Sequence, residues 1–143
     1  MAEMKMKTRP MGASAVIGRT GFPHITSATG GELNIVTGPS QAGFNPLDLL
    51  YASLAGCLTI SARLVASELG VMDKITTITA AVSGEKAKEG LSRVERFDIV
   101  LTIAGDIDDE TRHAIAHKAE HEICTVSNTL TANPTFATTV LAE

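Results

Sequence analysis

The 143-residue sequence predicts a single α+β domain, and three observations carry that reading. Phe97, Ile99, Leu101 and Ile103 alternate with Arg96, Asp98, Val100 and Thr102, the period-two pattern of a half-buried strand. Short segments rich in β-branched residues, with Gly, Pro or Asn nearby, read as further strands. Two longer stretches carry helix start signals and an apolar stripe. The length suits one core, because compact domains commonly hold ~100–150 residues. No repeat, low-complexity tract or Pro/Ser-rich linker divides the chain.

Taken in order, residues 13–17 and 33–37 are the first expected strands. A helix then starts at Asn45-Pro46, where Asn45 can cap free amides, Pro46 suits the first turn and Asp48 lies three residues past the cap. It runs to Leu69 and stops at Gly70, a suitable C-terminal cap. No charge occurs between Leu49 and Ala62, which predicts burial nearly all round. The run is short of the ~18 apolar residues of a membrane span and contains Ser53, Gly56, Thr59 and Ser61. At 100° per residue, Ala52, Ala55, Thr59, Ala62 and Ala66 form a small-residue stripe that lets another backbone approach. Cys57 lies opposite with Leu50, Leu54 and Leu64, a face suited to packing on a sheet and expected to hold the sulfur in apolar surroundings.

Residues 75–83 are rich in Thr, Ile and Val, and the polar segment 84–90 can turn the chain into the strand at 96–103, so a hairpin is expected. The second helix spans 108–123, with Asp108, Asp109 and Glu110 near its positive end. Ile115, Ala116, Ala119 and Ile123 form its apolar stripe. His113, His117 and His121 fall on the other side, and Cys124 follows. Residues 135–141 close the chain as a last expected strand.

Composition narrows the function. There is no Trp, one Tyr and four Phe, so aliphatic residues must supply most of the core, and dimerisation would add burial that a small chain lacks. The formal charge of -4 offers no basic field for nucleic acid or an anionic membrane. Residues 1–9 are charged but lack the apolar run and cleavage site of a secretory signal, so the cytoplasm is the expected compartment. A stable structural disulfide is unusual there, and the two cysteines therefore read as free, catalytic, redox-active or metal-binding. The sequence holds no Gly-x-Gly-x-x-Gly, phosphate loop, Gly-x-Ser-x-Gly or Cys-x-x-Cys.

Two strings of residues sharpen this. Asn45-Pro46-Leu47-Asp48-Leu49-Leu50-Tyr51-Ala52-Ser53-Leu54-Ala55-Gly56-Cys57-Leu58 resembles the central-helix motif of the OsmC/Ohr family, an Asn/Ser-Pro start followed by a small-residue helix and a reactive Cys. His121-Glu122-Ile123-Cys124-Thr125-Val126-Ser127-Asn128-Thr129-Leu130 is similar to that family's second motif, Cys-Pro-hydrophobic-Ser-Asn. The resemblance covers nearly the whole chain. It implies an intertwined homodimer in which antiparallel sheets from both chains wrap around long central helices.

It also implies a thiol peroxidase that needs no cofactor and no metal. Cys57 would attack a hydroperoxide, preferentially an organic one, and Cys124 would resolve the sulfenic acid as a disulfide. A dithiol reductant, such as a dihydrolipoyl protein, would reopen the bond. Cys57 lies too deep in its helix for the N-terminal dipole to help, so a cation is expected to offset burial. Gly18-Arg19-Thr20-Gly21 resembles the family's Gly-Arg-Asp-Gly turn, which makes Arg19 the candidate and Arg9 its competitor. Leu50, Leu54 and Phe44 are the candidate lining of the substrate pocket.

Two departures matter. Leu47 stands where peroxidase members commonly carry the Glu that orients the Arg, leaving Asp48 as a candidate orienting acid whose place at the helix start suits capping better. Thr125 replaces the Pro after the second Cys. Two other readings stay open: the same fold serving as a binder or sensor of a small apolar or thiol-reactive ligand, and a metal protein using the histidine stripe with Cys124. Against the metal, His113 and His121 lie ~12 Å apart along a helix, and a solvent-facing stripe explains them more simply.

Overall fold

The computed structural model describes residues 8–142. The chain forms two compact units that meet in sequence at Leu49 and Leu50.

The N-terminal unit holds a three-stranded antiparallel sheet of β1 (Ala13–Val16), β2 (His24–Ser27) and β3 (Glu32–Asn34), in that spatial order. β2 is too short to show a period in the sequence. It is held by pairing on both sides, with Ile25 opposite Ala15 and Leu33. The strand expected at 33–37 is shortened to β3, after which Ile35 makes one isolated parallel bridge to Phe44 and is buried. The first turn of α1 (Pro46–Glu68) closes this unit. Asn45 Oδ1 accepts the Asp48 amide at 2.7 Å and Asp48 Oδ2 accepts the Asn45 amide at 3.0 Å, a reciprocal capping box.

The C-terminal unit is built on a long antiparallel hairpin, β4 (Ile75–Lys86) and β5 (Val94–Gly105). The alternation read at 96–103 is observed: Phe97, Ile99, Leu101 and Ile103 pair with Gly84, Val82, Ala80 and Ile78 and share one face with them. The turn sits later than expected, because pairing continues through Glu85 and Lys86, and Ala87 donates to the Arg93 carbonyl at 2.9 Å. Gly84 lies under Tyr51. A Cβ there would stand 2.8 Å from the Arg96 carbonyl and 3.0 Å from the Tyr51 hydroxyl, so only glycine lets the Tyr51 ring approach Phe97 edge-on at 5.9 Å.

Helix α1 ends as read, with Gly70 in the left-handed region at φ 71° and Val71 donating to the Ala66 carbonyl. Its burial is one-sided, which corrects the expectation of burial all round. Leu54, Leu58, Ser61, Ala62, Val65 and Ala66 are buried, whereas Ile60 and Leu64 are more than half exposed. The hairpin and the next helix cover only one stripe, so Leu64 does not share the sheet-facing side expected of it. α1 is long and apolar enough to cross a bilayer by length and composition, yet its inward stripe is occupied by protein. Ala62, Val65 and Ala66 pack with Ile103, Ile115 and Ala119, while Leu54 and Leu58 pack with Cys124 over Ala80, Val82, Phe97 and Ile99. Each fully buried Leu, Val or Ile side chain contributes about 1.5–3 kcal/mol.

The second helix is α2 (Asp109–Lys118), capped by Asp108, whose Oδ1 accepts the Thr111 amide at 2.7 Å. Arg112 ties it to the end of β5 by donating to the Ile103 and Gly105 carbonyls, both at 2.8 Å. It does not continue regularly to 123. A single wide π turn, Ala119–Ile123, intervenes, and the Cys124 amide donates to the Ala119 carbonyl at 2.8 Å. A further helix, α3 (Thr125–Thr131), follows. The strand expected at 135–141 is absent. Its residues are unpaired, with Phe136, Val140 and Leu141 exposed, because β-branched composition makes a strand only where a neighbour supplies hydrogen bonds.

Candidate functional site

The two cysteines meet inside the C-terminal unit. Cys57 lies about three turns into α1, half-buried at the edge of the cluster formed by Leu54, Leu58 and Cys124. Cys124 is fully buried, and the π turn puts it there. In an unbroken helix Cys124 would follow His117 and His121 on the exposed face, whereas the extra residue in one turn rotates it into the core. Cys124 then caps α3, its Sγ accepting the Ser127 amide at 3.4 Å.

This arrangement puts four groups near the Cys57 sulfur that favour its ionised form: the backbone amides of Val126 and Thr125, the Cys124 thiol and the Ser61 hydroxyl. The amides are available because the first turn of a helix has no carbonyl partners for them. Burial pushes the Cys57 thiol up, but the donors outweigh it, led by the Val126 amide, and the thiol ionises below its ordinary range. Cys124 moves the other way: burial raises it, and the neighbouring Cys57 raises it further against the lowering effect of the Ser127 amide. Of the two sulfurs, the half-buried Cys57 is therefore the one that gives up its proton more readily. Both are free thiols.

A family model of OsmC-like proteins matches residues 38–139, which includes both cysteines and most of the described fold. The chain belongs to the OsmC-like family. A comparison with curated proteins by sequence finds no match. Solved structures agree on the fold. An OsmC-like protein from Mycoplasma pneumoniae is 19% identical, with a TM-score of 0.74 over 89% of this chain and 91% of its own. The organic hydroperoxide resistance protein OhrB of Bacillus subtilis is 28% identical, with a TM-score of 0.67 over 87% of this chain and 93% of its own. An organic hydroperoxide resistance protein from Elizabethkingia anophelis is 25% identical, with a TM-score of 0.67 over 90% and 93%.

Within this OsmC-like chain the other sequence candidates are placed as follows. Leu54 is buried in the cluster that contains Cys124 and borders Cys57, and Leu50 is half-buried one turn earlier on α1. Arg19 and Phe44 belong to the N-terminal unit, where Arg19 is exposed in the turn after β1 and Phe44 is half exposed beside its bridge to Ile35. Arg9 donates to the Thr29 hydroxyl at 2.9 Å. Asp48 is engaged in the cap. His113, His117 and His121 are all exposed, His113 donating to the Asp109 carbonyl at 2.8 Å, so the stripe faces solvent while Cys124 faces the core.

Sequence reasoning missed Ser61 and the amides of Thr125 and Val126. It looked for a cation to offset burial, whereas within the C-terminal unit the groups that face Cys57 are neutral donors. One signal was legible: Thr125 in place of the family's Pro leaves an N–H that Pro lacks.

Proposed function

We propose that this OsmC-like protein is a thiol peroxidase that reduces organic hydroperoxides to alcohols. One observation carries the proposal: a half-buried cysteine whose thiol ionises below its ordinary range packs with a fully buried second cysteine that is harder to ionise. The Cys57 thiolate attacks the terminal oxygen of ROOH; the O–O bond breaks, RO⁻ leaves and takes up a proton as ROH, and Cys57 becomes a sulfenic acid. The Cys124 sulfur attacks the sulfenic sulfur, forming the S–S bond and releasing water with the Cys124 proton. A dithiol reduces the disulfide in two exchanges and leaves as its own disulfide. The apolar cluster that borders Cys57, with Leu54, Val82 and Val126, suits an organic R group, and Leu50 is proposed as further lining.

Arg19 is proposed as a further activating group and Phe44 as further lining, on the family resemblance. The same proposal includes a homodimer in the cytoplasm, supported by exposed Ile60, Leu64, Phe136 and Val140; a monomer in sedimentation equilibrium at micromolar concentration would remove that part.

Leu47, in the place of the family's Glu, favours a second reading, a binder or redox sensor without strong turnover. Stopped-flow oxidation of the reduced protein separates the two. A fast, saturable reaction with cumene hydroperoxide is expected. Its rate should climb with pH through a midpoint below that of free cysteine, because thiolate fraction rises with pH and the Cys57 thiol lies below its ordinary range. A rate no better than that of free cysteine leaves the binder.

A further inference from the structure

Ser61 is a polar side chain buried in the C-terminal unit, only 3% exposed, on the inward stripe of α1 with Leu58, Ala62 and Val65. A buried hydroxyl is unfavourable unless it is hydrogen-bonded. Helical Ser and Thr usually satisfy it by donating to a carbonyl one turn back. Ser53 does so to Leu50 at 2.7 Å and Thr59 to Gly56 at 2.8 Å on this same helix. Ser61 stands one turn after Cys57 on α1, where i and i+4 side chains are neighbours, and its hydroxyl is among the groups that favour the ionised Cys57 sulfur. Packing does not call for Ser here: Ala is nearly the same size and the better helix former.

We infer that Ser61 is a positioning residue for Cys57, its buried hydroxyl donating to the sulfur from one turn further along α1. The hydroxyl approaches along α1, while the Thr125 and Val126 amides and the Cys124 thiol approach from the chain beginning α3. The hairpin residues packed on this cluster, Ala80, Val82, Phe97 and Ile99, carry no charge, and Cys124 is a titratable group beside Cys57. The inference rests on Cys57 being the nucleophile of the proposed reaction, but its test needs no hydroperoxide.

The test is the pH dependence of Cys57 alkylation by iodoacetamide in the reduced full chain, read by mass spectrometry of the Cys57 peptide. In Ser61→Ala the midpoint is expected to rise by about one pH unit, and the rate at neutral pH to fall about tenfold, since one unit is a factor of ten in thiolate fraction. Ser61→Thr keeps the hydroxyl and is expected to restore the wild-type midpoint. A Ser61→Ala profile that coincides with wild type overturns the inference. So does a raised midpoint that Thr fails to restore, because the shift then comes from repacking. Failure of the peroxidase reading would show separately, as slow oxidation of a normally alkylated wild-type Cys57.

Discussion

Replacing Cys57 with Ser is expected to lower steady-state reduction of cumene hydroperoxide by at least about a thousandfold, measured as ROH formed with excess dithiol. A Ser hydroxyl at this position would face the same amides of Thr125 and Val126, but its proton is far harder to remove than that of a thiol, so no nucleophile forms near neutral pH. Oxygen also cannot pass through a sulfenic acid, and the cycle loses its intermediate as well as its first step. The substitution is nearly isosteric and Cys57 is half-buried, so the packing of Leu54, Leu58 and Cys124 should survive. Unchanged turnover by Cys57→Ser would sink the mechanism.

Cys124→Ser is expected to separate oxidation from recycling. Ser is a favoured N-cap, and its oxygen can accept the Ser127 amide that the Cys124 sulfur now accepts, so α3 should keep its start. The variant should consume one equivalent of hydroperoxide per chain and stop, with the Cys57 sulfenic acid trappable by dimedone. Turnover with dithiol should fall on the order of a hundredfold, because an intramolecular thiol in contact competes with an external one at a very high effective concentration. Full turnover with dithiol would show that Cys124 does not resolve, leaving Cys57 as a one-cysteine peroxidase.

Much of the fold was legible because its signals are local. Asn45-Pro46 and Gly70 bracket α1 through capping chemistry, and the alternation at 96–103 identifies β5 through its two faces. The misses share a different cause. Residues 135–141 have strand composition but no paired neighbour, and β2 has pairing on both sides but too few residues to show a period. Ile60 and Leu64 are as apolar as Leu58, yet only Leu58 lies on the stripe that the hairpin covers.

The sequence by itself determined that two cysteines stand in ordered motifs, one on an uncharged helix and one after an amphipathic helix, because residue identity and spacing are local properties. Only the tertiary structure decided what surrounds them. The π turn at Ala119–Ile123 rotates Cys124 from the histidine face into the core, and α3 starts where its free amides meet Cys57. A sulfur's ionisation is set by the few donors and apolar atoms within contact, and here those come from positions more than sixty residues apart, which no spacing along the chain encodes.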